Sequence, residues 1–172
     1  MPLTLAVLEG TGWRAESVLA ATRRAAGILA QCAIGVSEIA LHEFSGPARY
    51  RAFDTPVSRE FAKAAALRTP AVYFVAETLQ QPAFDAEAIG RGNSRTRPEM
   101  RDTVWIFSGA RDLPVIIAHE LAHVLANSGD HSDDAGNLMA ERTSMASTRL
   151  TPAQCQGITR EATTNGLLRP LN

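Results

Sequence analysis

Two cysteines, two tryptophans and two tyrosines are all this 172-residue chain holds of those types. Cys32 and Cys155 stand far apart and form no C-x-x-C pair, which excludes a dithiol redox motif and a cysteine zinc knuckle. A disulfide between them and two separately buried thiols are both open readings. Neither sign of charge is in excess. With 17 basic and 18 acidic residues the formal net charge is −1, so no global field gathers nucleic acid or anionic lipid, and neither partner is expected. Long apolar runs are missing too: the longest spans 71–76, against roughly 20 residues needed to cross a bilayer. No membrane span is expected. The first nine residues show neither a basic n-region nor an apolar h-region long enough for a secretory leader.

What is present describes an ordinary globular chain, 45% hydrophobic and 20% charged, long enough to bury a sizeable core. No repeat, linker or low-complexity stretch divides it, so residues 1–172 are expected to form one domain. Residues 3–8 are apolar and end in Glu9-Gly10-Thr11-Gly12, a strand followed by a turn. Residues 14–31 carry Val18, Leu19, Ala25, Ala26 and Leu29 at helical spacing and predict the first long helix. Residues 34–44 alternate as a half-buried strand should. A second helix fits 57–67, and strands fit 71–75 and 103–107, where β-branched and aromatic residues cluster. Between 80 and 101 the chain is polar and holds at most a short edge strand near 86–90. Strands mixed with helices make the expected fold class α+β.

The chemistry sits in the next segment. Asp112 can cap a helix with Pro114 in its first turn, and the run continues through Val115, Ile116, Ile117, Ala118, Leu121, Ala122, Val124 and Leu125. A helix this apolar is buried. Set into it are His119, Glu120 and His123, spelling H-E-x-x-H, and residues four apart on a helix project from one face. A chain of this composition would contain about 0.006 such matches by chance. Three ionisable side chains on an apolar helix all need partners, and a metal is the simplest one for both imidazoles. Zinc takes histidine nitrogen at about 2.0–2.1 Å, and a catalytic site keeps three protein ligands and an open fourth position. Glu120 lies about 100° around the helix from His119, close enough to reach a water there.

A third ligand is then required, and His131 is the nearest candidate. Asn127-Ser128-Gly129 reads as a helix C-terminus in which Gly129 takes a left-handed conformation and turns the chain back. Asp130, Asp133 and Asp134 are rival oxygen donors, each more ordinary as a solvated loop acid. His42 sits alone on a predicted strand and suits a hydrogen-bonded role.

His119-Glu120-Leu121-Ala122-His123, then Gly129 and His131, then Asn137-Leu138-Met139, resembles the metzincin zinc metalloproteases, whose pattern is H-E-x-x-H-x-x-G-x-x-H followed by a methionine turn. The resemblance implies a mixed twisted sheet, a long first helix, a buried zinc helix, a Met-turn and a C-terminal helix, here opening at Thr151-Pro152 and running to about 162. It implies one catalytic Zn2+ on His119, His123 and His131, with Glu120 as general base and Met139 as an apolar floor that does not ligate. The activity implied is hydrolysis of a peptide or protein substrate lying extended on an edge strand, for which 86–92 is the candidate. The pattern departs from the family in one spacing: His131 follows His123 by eight residues instead of six. No tyrosine follows Met139. Family habit and the open disulfide slightly favour an exported protein, periplasmic or secreted. The alternatives are another H-E-x-x-H zinc hydrolase with Glu141 as third ligand, and a non-catalytic metal-binding or interaction domain in which an aspartate closes the site.

Overall fold

The computed structural model describes residues 1–81, 83, 85–91 and 97–169. Strand β1 (Pro2–Leu8) leads through a turn into α1 (Ala15–Leu29), and β2 (Glu38–Phe44) returns beside it. The two-residue strands β3 (Ala52–Phe53) and β5 (Glu77–Thr78) flank α2 (Thr55–Ala65) and β4 (Ala71–Val75). Then come β6 (Ala86–Ile89), β7 (Thr103–Phe107), α3 (Leu113–Ala126) and α4 (Pro152–Thr164). The main sheet has the order β2-β1-β4-β7-β6, in which the first four strands are parallel and β6 runs antiparallel to β7. The architecture is α+β: a mixed five-stranded sheet and, among the described residues, four α-helices. None of these helices is long and apolar enough to cross a membrane.

Strand periodicity divides the core. Leu3, Leu5 and Val7 of β1, Val72 and Phe74 of β4, and Val104 and Ile106 of β7 face α1, α3 and α4. The alternate residues, Ala6, Leu8, Tyr73, Val75, Trp105 and Phe107, face Phe53 and Phe61 on the other side. Tyr73 and Trp105 stack there at 4.2 Å between ring centroids. Because both faces are covered, β4 and β7 are buried along their whole length, which is why they read as unbroken apolar runs.

Several boundaries shift from the sequence expectation. The strand expected over 34–44 begins only at Glu38. Ala33 is left-handed (φ 56°) at the end of a short 3-10 turn, so 34–37 form a loop whose Ile34 is nevertheless buried. Burial of alternate residues there mimics a strand. Helix α2 starts two residues earlier than expected, because Pro56 suits a first helical turn, and it stops at Ala66, which is left-handed (φ 46°). Strands β3 and β5 are too short to carry a period and have no sequence signature. The edge strand expected near 86–90 is present as β6, while Gly92, the end of the wider candidate edge, lies outside the described residues.

Cys32, in the 3-10 turn after α1, is bonded to Cys155 in α4, resolving the open choice between disulfide and thiols. The bond closes a loop across a sequence separation of 123, and cross-links of this span stabilise by about 2–4 kcal/mol through the unfolded chain. Replacing both cysteines by serine should therefore lower the melting temperature by roughly 5–15 °C. A calorimetric scan showing less than about 1 °C of change would mean the cross-link adds nothing to folding.

Candidate metal centre

Helix α3 positions the centre. Asp112 is its N-cap, but in a left-handed conformation (φ 56°) with no side-chain cap; its carbonyl instead accepts from the Val115 and Ile116 backbone N–H groups at 2.8 and 3.2 Å. Val115–Ala118, Leu121, Ala122, Val124 and Leu125 are all buried, so the helix is surrounded by core on nearly every side. His119 and His123 are buried with them, at 5% and 8% exposure, and Glu120 is half-buried.

The helix ends at Ala126. Asn127, not Gly129, takes the left-handed conformation (φ 49°), and its N–H closes onto the carbonyls of the last turn. Asparagine tolerates that region because its side chain can hydrogen-bond locally. A Cβ on Gly129 would meet nothing, so no glycine is needed there. Ser128 then presents its carbonyl to His123 Nδ1 at 2.8 Å, while its hydroxyl donates to Asp130 at 2.7 Å. This loop takes up the longer spacing to the third histidine.

His131 arrives with its Nε2 3.2 Å from His123 Nε2, and His119 Nε2 lies 2.9 Å from the same atom. The three imidazoles are the group of potential metal donors found among the described residues, with donor atoms within 4.8 Å of one another. The aspartates do not join them: Asp130 is engaged by Ser128, and Asp134 by Arg149 and the Gly136 N–H. Glu141 lines the same cleft as the histidines without entering the cluster. His42 stacks on Phe44, far from the centre along the chain and on the opposite edge strand.

Hydrogen bonding leaves His119 and His123 with Nε2 lone pairs, which is consistent with a metal site. His119 Nδ1 donates to the Leu138 carbonyl at 2.6 Å, and His123 Nδ1 donates to Ser128. A carbonyl only accepts, so in the neutral rings both Nε2 atoms carry a lone pair and no proton. Two such lone pairs at 2.9 Å repel unless a cation lies between them. A proton is a poor candidate, because burial pushes His119 below its ordinary value and, with the neighbouring His119, pushes His123 down to about 4. Nitrogen donors around a tetrahedral metal at about 2.0–2.1 Å stand about 3.3 Å apart, and the separations of 2.9 and 3.2 Å from His123 Nε2 are close to that.

Around the centre opens a cleft of about 800 Å³. Asp85–Ala88 and Gly90, in and around β6, line it together with Glu141, Arg142 and Thr143. Glu120 faces it beside His119. Burial, with the Glu87 carboxylate adding, raises its carboxyl to about 8. Met139 lies buried in the turn after the loop, where its N–H bonds to Asn137 Oδ1 at 2.9 Å and its carbonyl accepts from the Ser132 N–H at 2.7 Å. Sequence reasoning missed the carbonyls of Ser128 and Leu138, since main-chain acceptors carry no residue signature.

The sequence matches no model of a known family and no curated protein. In structure the chain is similar to metalloproteinase-II from Bacteroides fragilis, with a TM-score of 0.63 at 14% identity over 94% of this chain and 52% of that one. It is also similar to archaemetzincin from Methanopyrus kandleri, with a TM-score of 0.62 at 11% identity over 95% of this chain and 96% of that one. The chain thus spans about half the length of the first and nearly all of the second. The fold is metzincin-like, as the motif implied, and it carries a three-histidine cluster.

The depressed histidines set a pH dependence. Below about 6.5 the unfolded chain takes up protons that folded His123 refuses until about pH 4. Its contribution to stability is therefore complete above pH 6.5 and is lost as pH falls towards 4. Urea unfolding of metal-free protein should show that loss, and His123→Gln should flatten the slope; an equal slope in both would remove His123 as the cause.

Proposed function

We propose that the protein is a zinc-dependent endopeptidase. The observation that carries this reading is the convergence of three imidazole nitrogens beside Glu120, in a cleft bordered by a sheet edge. His119, His123 and His131 would hold the ion through Nε2. When bound, zinc supplies Lewis acidity that polarises a carbonyl and acidifies a water. Three protein donors leave one side of such a centre for substrate, whereas a structural zinc site is closed by four.

The chain's own residues do the rest. The Leu138 and Ser128 carbonyls fix the ring orientation of His119 and His123 and raise the basicity of their Nε2 atoms. Glu120 is the general base: its carboxylate oxygen takes a proton from the attacking water and delivers it to the departing amine nitrogen. Met139 packs below as an apolar floor, with no ligand role.

Substrate would lie along β6. Among the described residues the outer edge of this strand has no strand partner, and an extended peptide can add to it by main-chain hydrogen bonds. Ala86 and Ala88 pack on the α3 side of the sheet, where small side chains leave room for those of a substrate. Such binding reads the backbone first and suits peptide and protein substrates. Arg97 balances the half-buried Glu87 from 3.8 Å.

Cleavage of an unbiased peptide mixture, read by mass spectrometry, tests the reading. Wild-type protein should cut, and a zinc chelator should abolish cutting. Glu120→Gln should retain its zinc and lose about 10²–10⁴-fold in rate. Undiminished cleavage by Glu120→Gln, or by the chelated enzyme, would defeat the proposal.

A further inference from the structure

Asn137 is a buried amide, 2% exposed, in the turn whose next residue gives its carbonyl to His119. Both ends of its side chain are committed. Oδ1 accepts from the Met139 N–H at 2.9 Å and from Gln154 Nε2 at 3.1 Å, while Nδ2 donates to Gln154 Oε1 at 2.9 Å. Two amides are thus joined reciprocally, one in the turn under the metal centre and one in the first turn of α4.

Gln154 is itself held firmly. Its Oε1 accepts from the Thr151 N–H at 2.8 Å, and its own N–H donates to Thr151 Oγ1 at 3.2 Å, which completes a capping box. The next residue, Cys155, is cross-linked to the end of α1. Gln31 of that same 3-10 turn bonds to the Thr148 carbonyl and the Leu150 N–H, so the segment leading into α4 is fixed from α1 as well. Helix α4 is therefore a fixed point, and the amide pair transmits its position to the turn.

We propose that the Asn137–Gln154 pair is a positioning device for the metal centre. It holds the Leu138 carbonyl where that carbonyl fixes the tautomer and plane of His119, and so sets the affinity of the three-histidine site. The inference rests on the metal-binding reading given under Proposed function, and neither residue touches metal or substrate.

Two kinds of substitution separate positioning from simple stability. Gln154→Glu keeps the acceptor for the Thr151 N–H and places a carboxylate in the first helical turn, where it suits the helix dipole. It also sets an oxygen against Asn137 Oδ1 in place of a donor. Asn137→Asp breaks the pair from the other side, so the test survives if one variant does not fold. Thr151→Ala does the reverse: it removes the cap and leaves the amide pair in place.

Zinc affinity would be measured on metal-free protein by competition with a chromophoric chelator, together with metal-free melting temperature and exchange of the His119 Nδ1 proton by NMR. Gln154→Glu and Asn137→Asp should weaken zinc binding about tenfold or more and speed that exchange, with Gln154→Glu melting close to wild type and the buried Asn137→Asp melting earlier. Thr151→Ala should melt earlier and bind zinc as wild type does. Wild-type affinity in the pair-breaking variants would overturn the inference. So would losses of affinity that track melting temperature across all three variants. Zinc-free wild type would overturn the metal-centre reading beneath it, whereas zinc-binding wild type matched by Gln154→Glu would overturn this inference alone.

Discussion

Everything at the centre follows from two ring N–H groups donating to main-chain carbonyls. Once His119 and His123 each spend Nδ1 on a carbonyl, their Nε2 lone pairs must point at one another within an apolar helix packing. Protonation is opposed by burial, and separation is opposed by the helix, whose geometry stacks positions four apart. A bound cation would relieve the repulsion, in keeping with the proposed metal site. Helix α3, which carries both rings, is packed into the core against the sheet.

Sheet topology decides where such a centre can be reached. The central parallel strands β1, β4 and β7 are covered on both faces, so among the described residues no opening leads through the middle of the sheet. Access comes at the edge, where antiparallel β6 is followed by polar chain and the C-terminal end of α3 meets its loop. The cleft therefore pairs a strand with unmatched main-chain groups on one side and the histidine cluster on its floor. That pairing is the ground for proposing an extended polypeptide as occupant.

Support from behind comes from parts of the chain distant in sequence. The turn at 137–140 is held by the Arg149 carbonyl, by Asn137 and by the first turn of α4, and α4 is tied to α1 by a disulfide. A fold gains stability this way, because a cross-link acts on the unfolded ensemble and needs no additional core. The sequence marks of this scaffold are slight: one asparagine, one glutamine and two cysteines, of which only Gln154 and Cys155 are neighbours.

The H-E-x-x-H helix was legible from the sequence because its signal is local. Ligand spacing, apolar surroundings and Pro114 all lie within one stretch, and helical periodicity converts spacing directly into direction. The buried strands β4 and β7 were legible for the same reason, their composition being set by burial on both faces. What the sequence left open was whatever depended on contacts across the chain. The pairing of Cys32 with Cys155 was one case, and the choice of His131 over the nearby aspartates was another. The start of β2 at Glu38 and the left-handed residue at Asn127 instead of Gly129 were decided by backbone geometry that several residue types can adopt. Tertiary structure alone placed the Ser128 and Leu138 carbonyls against the imidazoles, because every residue owns a carbonyl and only folding determines which one is near.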